Sequence, residues 1–141
     1  MRILAVLTLA AIAATAQKRP VTHEDIFLLK RTGEPTVSPD GKHVVFSVTE
    51  PAYDLAQQSS DLWIAPTDGA AAPRRLTYSK GDESSPAWSP DSSKIAFTAK
   101  REGDDVAQIY ILNLSGGEAQ RATSSKTAVA NPKWSPDGKL L

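Results

Sequence analysis

The 141-residue sequence predicts an all-β protein assembled from a repeated four-stranded unit. A Ser-Pro-Asp tripeptide occurs three times, opened by Ser38, Ser89 and Ser135, at intervals of 51 and 46 residues. A second phrase recurs at nearly the same interval. "DLWIAPTDGAAAPRRLT" (Asp61 to Thr77) matches "QIYILNLSGGEAQRAT" (Gln108 to Thr123), with Leu62 and Ile109 offset by 47. Between these phrases apolar residues alternate: Val44, Phe46 and Val48 in one copy, Ile95, Phe97 and Ala99 in the next. Alternation with period two is the pattern of a strand with one face turned inward.

The chain opens differently. Arg2 precedes an apolar run from Ile3 to Ala14, in which Thr8 is the one polar residue, and the run closes on Ala14-Thr15-Ala16. A basic start, a short apolar stretch and a small-residue exit predict a secretory signal peptide over residues 1–16, cut after Ala16. A membrane anchor would need about 20 apolar residues. Export to the periplasm or the extracellular space is the expectation. Residues 17–34 form the next segment, a helical lead-in. Thr22 and Asp25 carry the spacing of a capping box, Glu24 and Asp25 suit the positive end of a helix, and Lys30 and Arg31 the negative end. Gly33 and Pro35 supply the stop. This predicts a helix from about His23 to Arg31 that buries Ile26, Leu29 and Phe27.

From residue 35 to 141 the repeat takes over. Each copy reads as four short strands. The first runs into the turn at Ala87-Trp88 or Lys133-Trp134. The turn itself is Ser38-Pro39-Asp40-Gly41, Ser89-Pro90-Asp91 or Ser135-Pro136-Asp137-Gly138. Proline presets φ, aspartate bonds to nearby backbone N–H groups, and glycine accepts a positive φ. Ser92 stands where the other two copies have glycine. It either adopts a left-handed backbone, at about 1 kcal/mol, or that turn has another geometry. The alternating strand follows, then Leu62-Trp63-Ile64 or Ile109-Tyr110-Ile111-Leu112. Turns at Asp68-Gly69 and Ser115-Gly116-Gly117 lead to a last strand ending at Leu76-Thr77 or Ala122-Thr123. Four strands at a period of 40 to 50 residues are the arithmetic of a β-propeller blade. A sandwich of unrelated hairpins would have no reason to repeat side chains at a fixed offset. Leu141 falls within the strand after the third turn, so the expected architecture is a partial propeller: about two blades and the start of a third, the product of a truncation.

Composition narrows the function. Lys+Arg total 16 against Asp+Glu 16, which offers no electrostatic reason to expect nucleic acid or an anionic membrane as partner. With no cysteine there are no disulfides, thiol chemistry or thiolate metal sites. His23 and His43 lack metal-ligand spacing and read as surface residues. Asp104-Asp105 reads as a solvated hairpin loop. The serines of "GDESSP" from Gly81 read as solvated loop residues. Trp88 and Trp134 recur at one repeat position, which favours packing over a binding platform, and Trp63 is read with them. No catalytic, cofactor or metal residue is expected.

The "WSPDG", "IAF" and "DLW…DG…RRLT" units resemble the repeats of TolB-like periplasmic propellers. They also resemble those of the N-terminal propeller of the prolyl oligopeptidase class of serine peptidases, acylaminoacyl and dipeptidyl peptidases included. TolB-like chains carry an α/β domain before the propeller, and the 18 residues from Gln17 to Glu34 are too few for one. "VTHEDIFLLKRTGEPTVSPDGKHVVF" (Val21 to Phe46) is similar to the peptidase opening. That resemblance implies an α/β-hydrolase domain C-terminal to the propeller, with a Gly-x-Ser-x-Gly nucleophile elbow followed by Asp and His, and short peptides as substrates. No Gly-x-Ser-x-Gly occurs among these residues. The chain alone is therefore expected to be inactive. The alternatives are a TolB-like protein-binding module or a remnant without activity.

Overall fold

The computed structural model describes residues 19–139. The expected signal peptide, with Gln17 and Lys18 after it, lies outside the described residues, as do Leu140 and Leu141. The elements run α1 (His23–Phe27), β1 (Arg31–Thr32), β2 (Thr36–Val37), β3 (His43–Glu50), a 3-10 turn (Leu55–Gln57), β4 (Ser59–Pro66), β5 (Arg74–Arg75), β6 (Glu83–Trp88), β7 (Lys94–Ala99), β8 (Gln108–Asn113) and β9 (Gln120–Arg121).

They form two antiparallel sheets. In the first, β1 and β2 both pair with β3, which pairs with β4 and then β5. Together β1 and β2 are one interrupted strand, broken around Gly33 and Pro35. The second is an uninterrupted meander, β6-β7-β8-β9. Both are thus four-stranded blades, and their long central pairs run in unbroken register: His43↔Pro66 to Glu50↔Ser59, and Lys94↔Asn113 to Ala99↔Gln108. The last strand of each sheet, β5 and β9, is only two residues long, which leaves little open edge on that side to recruit another chain.

Residues opposite one another in an antiparallel pair share a face. Val45 opposes Ile64 and Ser47 opposes Leu62, and this face of the first blade meets Ile95, Phe97, Ala99, Tyr110 and Leu112 of the second. Trp88 completes the core, with Leu76, Leu114 and Ala119 at its margin. Val44, Phe46 and Val48 do share a face, as the alternation predicts, but it is the one turned away from the second blade. Val44 and Phe46 are accordingly only half-buried.

The lead-in departs from expectation. The capping box is present, with Asp25 N–H donating to Thr22 Oγ1 at 3.3 Å and Thr22 N–H to the Asp25 carboxylate at 2.8 Å. The helix nevertheless stops at Phe27, and it buries no residue: Ile26 and Leu29 are exposed and Phe27 half-buried. The reason is competition from the sheet. Arg31 and Thr32 are drawn into pairing with Thr49 and Val48, and Lys30 Nζ bonds Glu50 at 2.6 Å, so the chain must extend before a third turn can form.

Candidate functional site

The three Ser-Pro-Asp turns share one geometry. The serine hydroxyl donates to the aspartate Oδ1 at 2.5 Å (Ser38–Asp40) and 2.6 Å (Ser89–Asp91 and Ser135–Asp137). That oxygen also accepts a backbone N–H two residues on, from Lys42, Ser93 and Lys139 at 3.0–3.1 Å. The tight 4→1 closures return Gly41, Ser92 and Gly138 N–H to the serine carbonyls. φ is +71° at Gly41, +59° at Ser92 and +68° at Gly138, so the second copy keeps the left-handed turn despite its serine.

Ser92 gains something that glycine lacks. Its hydroxyl oxygen accepts the Asp40 N–H of the preceding blade at 3.1 Å, tying neighbouring turns together. Ser92→Gly should relieve a backbone cost of about 1 kcal/mol while losing this exposed bond. Ser92→Ala should keep the cost and lose the bond. Urea unfolding is expected to rank the glycine variant above alanine by roughly 1 kcal/mol. Equal midpoints would show that the turn relaxes instead.

The same turns predict an acid response. The Ser89 hydroxyl and then the Ser93 N–H hold the Asp91 carboxyl at about 2, below its ordinary 3.8. A carboxyl depressed in the folded state contributes stability above its ordinary value and loses it as pH falls toward the folded one. Asp91→Asn should therefore flatten the decline in unfolding midpoint between about pH 4 and about pH 2. Asp40 and Asp137, lowered chiefly by Ser38 and Ser135, keep their own part of the slope, as do Asp25, Glu50 and Asp104.

Beside the turns, each tryptophan reaches back one blade. Trp88 Nε1–H donates to the Thr36 carbonyl at 3.0 Å, and Trp134 Nε1–H to the Ala87 carbonyl at 3.1 Å. Thr36 and Ala87 each precede the matching repeat position, which in the first blade is Val37. His43 stacks on Trp88 at 6.5 Å, and His23 on Phe27 at 5.7 Å. Trp63 opposes Phe46 on the outward face of the first blade and is half-buried.

The first strands of successive repeats border a cleft of about 350 Å³. Gly33, Glu34 and Thr36 come from the first blade, Ser84, Ser85 and Pro86 from the second, and Asn131 to Lys133 from the third repeat. The serines of "GDESSP" thus belong to strand β6 and not to a loop. Ser85 and Asn131, each just before a proline, have φ of +52° and +55°, and Ser85 Oγ bonds Asn131 Oδ1 at 3.0 Å. Gly33 lies close against Ser47: a Cβ there would fall 2.3 Å from Ser47 Oγ, so the hydroxyl would have to turn aside to admit one. This wall presents hydroxyl, amide and backbone groups to the cleft.

At the ends of the strands opposite the turns lies a buried charged network that the sequence reading missed. Asp61, 1% exposed, takes a bond from the Arg75 guanidinium, which also donates to the Thr77 carbonyl at 2.8 Å. Burial pushes the Asp61 carboxyl up, although Arg75 opposes the shift. Glu83, fully buried, pairs with Arg101 at 2.8 Å, and the Arg101 guanidinium lies 4.7 Å over the Tyr110 ring. Asp104 corrects the solvated-loop expectation. It is buried, accepting from Tyr110 Oη at 2.6 Å and from Arg101 N–H at 3.1 Å, and pairs with Arg121 at 3.3 Å; Asp105 alone is exposed. The Tyr110 hydroxyl, first among several causes, lowers the Asp104 pKa. One signal of this network was in the repeat: Asp61 occupies the position of Gln108 in the matched phrases, and Arg75 that of Arg121. Gln108 bonds Thr123 and Ser125 instead. Among the described residues no three His, Asp or Glu side chains gather as a metal site.

Comparison with known proteins agrees with this architecture. The chain is 34% identical over 125 residues to the uncharacterized peptidase YuxL of Bacillus subtilis, covering 88% of this chain and 19% of that protein. It is 28% identical over 127 residues to dipeptidyl-peptidase 5 of Porphyromonas endodontalis, covering 90% and 18%. The Pyrococcus horikoshii acylaminoacyl peptidase structure superposes with a TM-score of 0.63 at 20% identity, over 82% of this chain and 17% of that one. The chain thus spans about a fifth of the length of the curated relatives it matches. The TolB β-propeller domain model (PD40) matches residues 6–141, and the chain belongs to that family.

Proposed function

We propose that these residues are the N-terminal part of the propeller of an exported serine peptidase of the prolyl oligopeptidase class. In that protein the propeller restricts access to a catalytic α/β-hydrolase domain, so that only short peptides are cleaved through an acyl-enzyme. The observation that carries this reading is the 34% identity to a peptidase across 88% of this chain but only 19% of that protein. The polar cleft along the first strands is suited to contact an extended peptide backbone, and no nucleophile is assigned here. The test is the reading frame beyond codon 141. Further repeats leading to a Gly-x-Ser-x-Gly with downstream Asp and His support the peptidase, and the 141-residue chain should then show no turnover of dipeptidyl or acylaminoacyl substrates. A frame that closes after further blades without that motif overturns it, and leaves a TolB-like binding module. That second reading draws on the match to the TolB β-propeller domain model.

A further inference from the structure

The cleft along the first strands carries two charges that nothing in the fold answers. Glu34 comes from the first blade and Lys133 from the third repeat, and they are its only charged lining residues. Both are exposed, and among the described residues neither has a hydrogen-bond or ion-pair partner. Opposite charges that border one cleft without pairing leave a place for a ligand carrying the complementary pair. A concave, partly walled space strengthens the field such charges present.

The second blade supplies the wall between them. Ser85 and Pro86 stand opposite the single Phe97, a β-bulge that turns backbone groups out of the ladder. This wall is held in place: Ser85 Oγ bonds Asn131 at 3.0 Å, Thr36 Oγ1 donates to the Pro86 carbonyl at 3.2 Å, and the prolines at 86 and 132 fix φ. A site already rigid loses little freedom on binding. Its volume of about 350 Å³ lies at the small end of ligand clefts, which run from about 300 to 1,000 Å³. A peptide of three residues spans at most about 10 Å, which keeps both of its termini near one such cleft. We propose that the cleft binds a short unblocked peptide as a zwitterion, its ammonium group at Glu34 and its carboxylate at Lys133, a proposal that rests on the peptide reading above. The bulge then faces the peptide backbone between the two ends.

The test uses the whole parent polypeptide, with the serine of any Gly-x-Ser-x-Gly it encodes replaced by alanine so that nothing is cleaved. Trialanine, its N-acetyl form and its C-terminal amide are each titrated by calorimetry. Blocking either terminus is expected to weaken binding about tenfold, the worth of one charge-assisted hydrogen bond. Glu34→Gln should cease to distinguish the N-acetyl form while still discriminating against the amide, and Lys133→Met should do the reverse. The discrimination that each variant keeps shows that it is folded. No binding of trialanine, equal binding of the blocked forms, or discrimination unchanged in both variants overturns the proposal and leaves the peptidase reading untouched. A parent without Gly-x-Ser-x-Gly that binds in the expected pattern overturns the peptidase reading alone.

Discussion

Phe97→Ala is expected to lower the unfolding free energy by about 3–5 kcal/mol. Phe97 is fully buried and stands in the cluster where the two sheets meet, stacked on Tyr110 at 6.1 Å. Its ring therefore serves both blades at once. Truncation removes its transfer free energy and leaves a cavity bounded by β-strands, whose paired backbones leave little scope for collapse. Domains of this size have only about 5–15 kcal/mol in total, so much of the stability would go. Val44→Ala, at the half-buried outward face, should cost under about 1.5 kcal/mol. Urea midpoints followed by tryptophan fluorescence compare the two. Similar losses at both positions would refute the assignment of the core to the inner face.

The second large effect concerns Glu83 and Arg101. Glu83→Ala leaves the Arg101 guanidinium, 20% exposed, without its carboxylate, and is expected to cost about 3–5 kcal/mol. The double change Glu83→Met with Arg101→Met should be far milder, since it removes both charges. Two of their atoms, Glu83 Oε2 and Arg101 Nε, already lack protein partners, which makes the pair costly to bury. A double variant as unstable as Glu83→Ala would mean that the charges support the fold beyond their mutual pairing.

Local chemistry was legible where it acts over a few residues. The turn was readable because its proline, aspartate and serine satisfy one another within five positions, and the left-handed backbone of Ser92 was one of two geometries that its place in the repeat allowed. The capping box was readable for the same reason. The length of α1 was not, because Lys30 to Thr32 are claimed by Thr49 and Glu50 from the far side of the first hairpin. Asp104 was misread because its partners, Tyr110 and Arg121, come from strands across the blade. Alternation identified both sets of strand faces, but only the seating of one blade on the next decides that Val45 and not Val44 is enclosed.

The junction bonds have a consequence for how the chain assembles. Ser85 to Asn131, Ala87 to Trp134, Thr36 to Trp88 and Asp40 to Ser92 are contacts over 46 to 52 residues. Each blade is thus recognised by the one made just before it. In a polypeptide emerging from its amino terminus, the first blade waits about fifty residues for the tryptophan that fastens its neighbour. Structure can then spread forward like a zip, one unit at a time, without needing the far end of the chain to be made.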